Sequence, residues 1–220
     1  MQTFNFSQYL TKQSQDDKDA QYLKAVEDGD MEIAQQMVND AAISAGFEPK
    51  TLYRGDRPGK KRFTGGKEDA SIVMQGSIFL FDDPMLASFY TSQRTNYRRN
   101  PSKMTSDDGL YRLYAKLGGN VFIYDAKDSD WIDIKAPDEI GGEHNYPFGI
   151  QIDDLAAEIK KMGYSAMVVH NVGDQSGWGS QYIVFDPSQV KTADAVTYDD
   201  EHQIIPLSKR FDSSKDDIRL

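Results

Sequence analysis

An arginine and a glutamine occupy the ends of two short β-rich segments of this sequence. Arg54 ends the apolar run of TLYRGDRPG, and Gln181 opens the run QYIVF after a glycine-rich stretch. A guanidinium is a planar fork of donors that suits phosphate or ribose oxygens, whereas an amide accepts a hydroxyl hydrogen bond without supplying charge. The alternative for Arg54 is a surface arginine whose stem covers the core while its head stays in water.

Basic side chains are concentrated in two segments of an acidic chain, whose formal net charge is −10. The two segments span 54–67 and 94–103 and contain Arg54, Arg57, Lys60, Lys61, Arg62, Lys67, Arg94, Arg98, Arg99 and Lys103. Clustered positive charge attracts the phosphates of a ligand or target, although solvated loops can have the same composition. The overall negative charge argues against nucleic acid as the default partner, because a phosphate backbone requires clustered positive charge.

The composition excludes several kinds of site. The 220 residues include no cysteine, and the three histidines, His144, His170 and His202, are scattered. A disulfide framework is therefore excluded, and we expect no metal site. No apolar run of about 18 residues could span a bilayer, and the start MQTFNFSQYLTKQ lacks the basic and apolar segments of a secretion signal. We expect a soluble cytoplasmic protein with no membrane partner.

Helical periodicity comes first along the chain. Apolar residues recur at helical spacing between Ala20 and Phe47, and an Asp-Gly-Asp break interrupts them. Asp30 is placed to cap a second helix and Gly46 to end it. This pattern predicts a helical hairpin without chemistry of its own.

Short strands with two interleaved helices follow, which predicts an α+β fold. The β-rich runs are LYR (52–54), SIFLF (77–81), YRLYAKL (111–117), VFIYD (121–125), AMVVH (166–170) and QYIVF (181–185). One helix is predicted from Pro84 to Gln93, with proline in its first turn. The other is predicted from Ile152 to Met162, with Asp153 and Asp154 favourably placed in its first turn.

Three long loops and a polar tail complete the organisation. The loops at 56–76, 92–109 and 171–180 are long for a compact domain, and such loops usually line a functional cleft or are disordered. The tail is predicted to lie irregularly across the surface. The predicted units are a helical appendage at 1–48, a main domain at 49–191 and the C-terminal tail at 192–220.

Three fragments carry a family resemblance: LYRGD, GSIFLFDDPMLASFYT and SGWGSQYIVFDPSQVK. Three further stretches carry the same resemblance: GLYRLYAKLGGNVFIYDAKDSDW, AAEIKKMGYSAMVVHNV and the tail phrase VFDPSQVKTADAVTYDDEHQIIPLSKRFDSSKDDIRL. Over about residues 20–220 the chain resembles the ADP-ribosyltransferase-like domains of phage and prophage polyvalent proteins. The tail phrase is the most specific part of this resemblance.

The resemblance implies a split β-sandwich with NAD⁺ in its cleft. Tyr-Arg-Gly, matched by residues 53–55, is the phrase whose arginine grips the dinucleotide, which assigns Arg54 and Gly55 to NAD⁺ binding. Two aromatic residues eleven positions apart clamp nicotinamide in related toxins, and Phe79 and Tyr90 have that separation. Phenylalanine in place of tyrosine keeps the stacking face. The segment 173–180 corresponds to the target-recognition loop, in which Trp178 is the main contact candidate or, alternatively, a lid folded onto the core.

Gln181 departs from the family pattern, because a catalytic glutamate is expected there. A carboxylate stabilises the positive charge that develops on the ribose, and an amide does not. Losing one such group typically costs about 100–1,000-fold in rate. Three outcomes stay open: a slow transferase, a transferase that uses Asp174 or Asp56 instead, or an inactive fold kept for binding.

The resemblance therefore predicts a mono-ADP-ribosyltransferase that modifies a macromolecular target in the bacterial host cytoplasm. Its donor is NAD⁺ and it needs no metal. A host protein is the expected target, and a nucleic-acid target is not excluded. The alternative is an inactive acidic protein that inhibits a host defence or DNA-binding protein by occupying its basic site.

Overall fold

The computed structural model describes residues 6–63, 76–91 and 100–220, with side chains from residue 15 onwards. These residues form an α+β fold, which confirms the predicted class. The helices are α1 Phe6–Asp28, α2 Met31–Ser44, α3 Pro84–Ser88, α4 Gly142–Asn145 and α5 Ile152–Lys161. The strands are β1 Leu52–Gly55, β2 Ile78–Phe81, β3 Leu110–Ala115, β4 Val121–Asp130, β5 Ala166–Asp174, β6 Gly177–Val184 and β7 Val190–Thr192.

The described strands make one mixed seven-stranded sheet in the order β4-β5-β6-β2-β1-β3-β7. Only β4 and β5 pair in parallel, and α5 lies between them in the chain. The remaining neighbours are antiparallel. This order puts β6, β2 and β1 side by side, so that residues far apart in sequence meet across three central strands.

Local sequence explains the helices near the sheet. Pro84 opens α3, and the Asp83 side chain caps it by accepting from the Met85 amide at 2.7 Å. Helix α5 has acids in its first turn and lysines in its last, which complements the helix dipole. Its apolar face packs against β4 and β5 through Ile152, Leu155, Ala156 and Ile159.

The helical hairpin is present, with α2 ending as predicted at a left-handed Gly46, φ +83°. Tyr22, Val38 and Phe47 form a buried cluster with side chains of β3 and of the C-terminal tail. None of the helices in the described ranges is both long and apolar enough to cross a bilayer.

Two predicted boundaries are wrong. The helix after Pro84 ends at Ser88, so Tyr90 lies in the turn that follows it. The predicted loop at 171–180 is instead the end of the β5–β6 hairpin, closed by a tight turn at 174–177. The glycines there suggest a loop, but their backbones pair as strands. Lys67, Arg94, Arg98 and Arg99 lie outside the described residues.

The tail has little regular structure and packs against the rest of the protein. Phe211 lies against Phe47 and Tyr114, and Ile218 joins the cluster around β1 and β3. The Thr192 amide of β7 donates to the Ile218 carbonyl at 2.7 Å. The tail therefore covers one edge of the sheet.

Candidate functional site

Arg54 is held in place at the end of β1. Its Nε and Nη2 donate to Asp56 Oδ2 at 3.2 and 3.0 Å, and its Nη1 donates to the Phe79 carbonyl at 3.1 Å. The guanidinium also lies 4.9 Å from the centroid of the Phe63 ring. The side chain is only 21% exposed. Arg54 is therefore a positioned cation and not a loose surface arginine.

Asp174 is the centre of a hydrogen-bond network at the end of β5. Its Oδ2 accepts from the Tyr90 hydroxyl and from Gln181 Nε2, both at 2.9 Å. Its Oδ1 accepts from the amide and the hydroxyl of Ser176. Both oxygens are engaged, so Asp174 fixes the orientation of Tyr90 and Gln181 and has little capacity left for a ligand.

Gln181 lies inside β6, not at its start. It is 4% exposed and pairs in register with Phe81 of β2 and Val169 of β5. Its amide nitrogen is committed to Asp174, whereas the hydrogen bonds within the described residues leave its carbonyl oxygen unengaged. The buried amide can therefore accept a hydrogen bond but adds no charge.

These side chains surround a cavity of about 300 Å³. Its described lining consists of Arg54, Gly55, Phe79, Phe81, Tyr90, Trp131, Ile152, Asp153, Asp174, Gln175 and Gln181. This lining includes six residues predicted to bind NAD⁺ or to act in catalysis, whereas Asp56, the other candidate acid, is not part of it. The structure thus brings together residues from β1, β2, β6, the end of β5 and the turn after α3.

The aromatic wall differs in part from the predicted clamp. Phe79 and Tyr90 both line the cavity, but the ring that stacks on Tyr90 is Phe81, with centroids 5.5 Å apart and planes tilted by 14°. Phe79 is 8% exposed and belongs to a buried cluster. Trp131 adds a further aromatic side chain. The wall is therefore wider than the Phe79–Tyr90 pair that the sequence indicated.

Gly55 has a packing role as well as a place in the lining. A Cβ atom there would lie 2.0 Å from the Ala87 carbonyl oxygen and 2.9 Å from the Thr91 amide nitrogen. Only glycine lets β1 approach the end of α3 this closely. That approach brings Tyr90 to the cavity.

Asp153 is an acid of the cavity that the motifs do not indicate. It stands in the first turn of α5, where the sequence suggests only a favourable dipole contact. Its Oδ1 is buried without a hydrogen-bond partner among the described residues. Burial, reinforced by the neighbouring Asp154 carboxylate, raises the pKa of Asp153.

Trp178 lies on β6 outside the cavity lining. Its ring covers Gly173, its cross-strand neighbour, where a Cβ atom would lie 2.9 Å from the ring. The side chain is nevertheless 59% exposed. It is thus an exposed aromatic surface on β6 and not a lid over the core.

Two cations of the first basic segment, Lys61 and Arg62, are paired with the tail. Lys61 contacts Asp200 at 2.6 Å and Arg62 contacts Asp216 at 3.2 Å. Lys103, from the second segment, is exposed. The structure therefore gives Lys61 and Arg62 protein carboxylates as partners, which is consistent with a role in holding the tail.

Within the described residues, no three histidine, aspartate or glutamate side chains come together in a way that could hold a metal ion. Comparison of the chain with protein-family models, with curated proteins and with solved structures finds no match.

Proposed function

We propose that the chain is a phage-type mono-ADP-ribosyltransferase that transfers ADP-ribose from NAD⁺ to a macromolecular target in the bacterial cytoplasm. One observation carries this proposal. Six residues that the sequence assigns to NAD⁺ binding or catalysis, from separate parts of the chain, line one cavity: Arg54, Gly55, Phe79, Tyr90, Asp174 and Gln181. An ADP-ribosyltransferase-like sheet with an NAD⁺ cleft would account for that convergence.

The size of the cavity suits one end of the dinucleotide. At about 300 Å³ it is at the lower limit of ligand pockets. It would enclose the nicotinamide and its ribose, and the rest of NAD⁺ would lie on the adjoining surface. The stacked Phe81 and Tyr90 rings offer the flat apolar wall that a pyridine ring needs.

Two polar side chains have distinct roles in this proposal. Arg54, already aligned by Asp56, would bind phosphate oxygens as a bidentate donor. The carbonyl oxygen of Gln181 would accept a hydrogen bond from a ribose hydroxyl, because Asp174 holds its amide nitrogen.

In the transfer, the bond from the nicotinamide ring nitrogen to the ribose carbon breaks, and its electron pair moves to the ring. A nucleophile of the target then bonds to that carbon and loses its proton.

The alternative function is an inactive acidic inhibitor of a host defence or DNA-binding protein. Gln181 favours it, since the amide lacks charge and Asp174 is engaged on both oxygens. The net charge of −10 also favours it. Trp178, exposed on β6, would serve either function as a contact for the partner.

The test exchanges the charge between positions 174 and 181. Gln181→Glu alone would set two carboxylates against each other at hydrogen-bond distance, which destabilises the site. Gln181→Glu combined with Asp174→Asn keeps one carboxylate and one amide in contact and moves the negative charge into β6. We expect this double variant to release nicotinamide from NAD⁺ at least about ten-fold faster than the unaltered protein, part of the effect of one aimed charge.

Calorimetry with NAD⁺ and transfer of labelled ADP-ribose to host lysate complete the experiment. Arg54→Ala is expected to weaken NAD⁺ binding by about 1.5–3 kcal/mol, the value of a charged hydrogen bond. No binding of NAD⁺ by the unaltered protein at millimolar concentration would reject the proposal. Binding with background turnover in the double variant would favour the inhibitor.

A further inference from the structure

Three carboxylates stand at or next to the cavity, and they differ in what they contact. Asp56 accepts from Arg54 and from the Arg57 amide. Asp174 accepts four hydrogen bonds, on both of its oxygens. Asp153 instead has a buried oxygen with no partner among the residues that the structure describes. Of the three, Asp153 is the carboxylate whose charge the described residues compensate least.

An unpartnered, desolvated carboxylate is unfavourable unless something compensates it. Asp154 next to it adds like charge, and both effects raise the pKa of Asp153. The cationic group of the described lining, Arg54, is already paired with Asp56. A positive charge inside the cavity would relieve this cost, whereas a neutral ligand would leave it in place.

The walls favour the same kind of ligand. Phe79, Phe81, Tyr90 and Trp131 line the cavity with aromatic surface. The faces of aromatic rings attract cations, with the strongest effect where water is excluded. Apolar walls and an uncompensated carboxylate together suit a flat ring that bears a positive charge.

We propose that Asp153 makes this cavity select a positively charged aromatic ring over a neutral ring of the same shape. This inference rests on the proposed function for the position of the nicotinamide end, but it does not require that transfer occurs. Oxidised NAD⁺ carries a pyridinium ring, and its reduced form does not. Asp153 therefore favours the oxidised donor, and it holds the neutral nicotinamide product less tightly than the donor's ring.

The experiment compares two small probes with the full chain by calorimetry. One is nicotinamide methylated on its ring nitrogen, a pyridinium cation, and the other is neutral nicotinamide. We expect the unaltered protein to bind the cation about ten-fold more tightly. Asp153→Asn, which keeps the shape and removes the charge, is expected to bind the two probes within about two-fold of each other.

Asp154→Asn is the matched control, because Asp154 is exposed, adjacent and equally charged but outside the cavity lining. It should keep the preference for the cation. Asp153→Ser is a second variant in case Asp153→Asn fails to fold, with folding checked by thermal denaturation. Equal binding of both probes by the unaltered protein, no binding of the cation, or a preference that survives in both Asp153 variants would overturn the proposal.

The proposed transfer of ADP-ribose and the proposed charge selection by Asp153 can fail independently of each other. Charge selection by Asp153 without any release of nicotinamide from NAD⁺ would reject the transferase and leave this inference standing. Release of nicotinamide by a protein that binds both probes equally would reject this inference and leave the transferase standing.

Discussion

The edge of the sheet under the C-terminal tail and the cavity beside α5 each bury a charged side chain, with different surroundings. Lys191, in the middle of β7, is 1% exposed, and its Nζ donates to the Lys215 and Asp217 carbonyls at 2.9 Å each. Asp153 has a buried oxygen without any partner in the described chain. Burial disfavours the charged form in both, lowering the pKa of Lys191 and raising that of Asp153.

This difference separates a structural charge from one available for binding. The tail closes over Lys191 and supplies its acceptors from its own backbone, so the ammonium stabilises the packing of the tail on β7. Nothing within the described residues does the same for Asp153. A buried group that the protein itself leaves unsatisfied is a candidate for contact with a ligand.

Removal of the Lys191 side chain is expected to have the largest effect. Lys191→Ala would leave two tail carbonyls without a donor and create a void, which should lower the free energy of unfolding by about 3 kcal/mol or more. Chemical denaturation measures this value. Lys209→Ala, an exposed lysine of the same tail, is the control and should change stability little. A loss below about 1 kcal/mol for Lys191→Ala would mean that the hydrogen bonds of Lys191 to the tail contribute little to stability. Lys191, like Asp153, would then not be a structural charge.

The wall of the cavity is tightly packed at Gly55, even though the Asp153 carboxylate of the same cavity has an oxygen without a partner in the described chain. Gly55→Ala would drive a methyl group into the Ala87 carbonyl of α3, and we expect a loss of about 1–3 kcal/mol on denaturation. Gly119→Ala is the control, because nothing lies within 4 Å of the corresponding Cβ position. Equal stability of the two variants would show that β1 and α3 can separate at little cost, and the cavity would then not be preformed.

Strand pattern predicts much of this fold because apolar and β-branched runs report local burial. The runs that begin with Leu52, Ile78 and Ala166 all pair within the sheet. Strand β7 is not predicted, since it is three residues long and has a lysine at its centre. Only the distant tail, which provides the acceptors, makes Lys191 compatible with burial.

The site was predictable only where its residues lie in motifs. Arg54 and Gln181 stand out in short phrases, but their hydrogen bonds depend on pairing between distant strands. Trp131 and Asp153 reach the cavity because β4 runs on to Asp130 and the chain returns at α5, with the Ile152 amide donating to the Trp131 carbonyl at 2.8 Å. No local pattern in the sequence reports that closure.

The smallest expected effect on stability is a gain, whereas the two variants above lose stability. Asp153→Asn should raise stability at neutral pH by about 0.5–1 kcal/mol, as replacement of strained functional groups commonly does. Because the pKa of folded Asp153 is raised above its usual 3.8, the stability that it contributes is present at low pH and is lost as pH rises through the folded value.

The gain from Asp153→Asn should therefore shrink as pH falls through the raised pKa of the native aspartate, because the carboxylate becomes protonated and loses its charge. Arg54 and Asp174, the other charged residues of the described lining, and Asp154 on α5 are unchanged in the variant, so the difference reports position 153. Denaturation of both proteins at neutral and acidic pH measures it, with Asp154→Asn as the control. A loss of stability in Asp153→Asn at neutral pH would mean that the carboxylate has a structural partner, and Asp153 would then resemble Lys191.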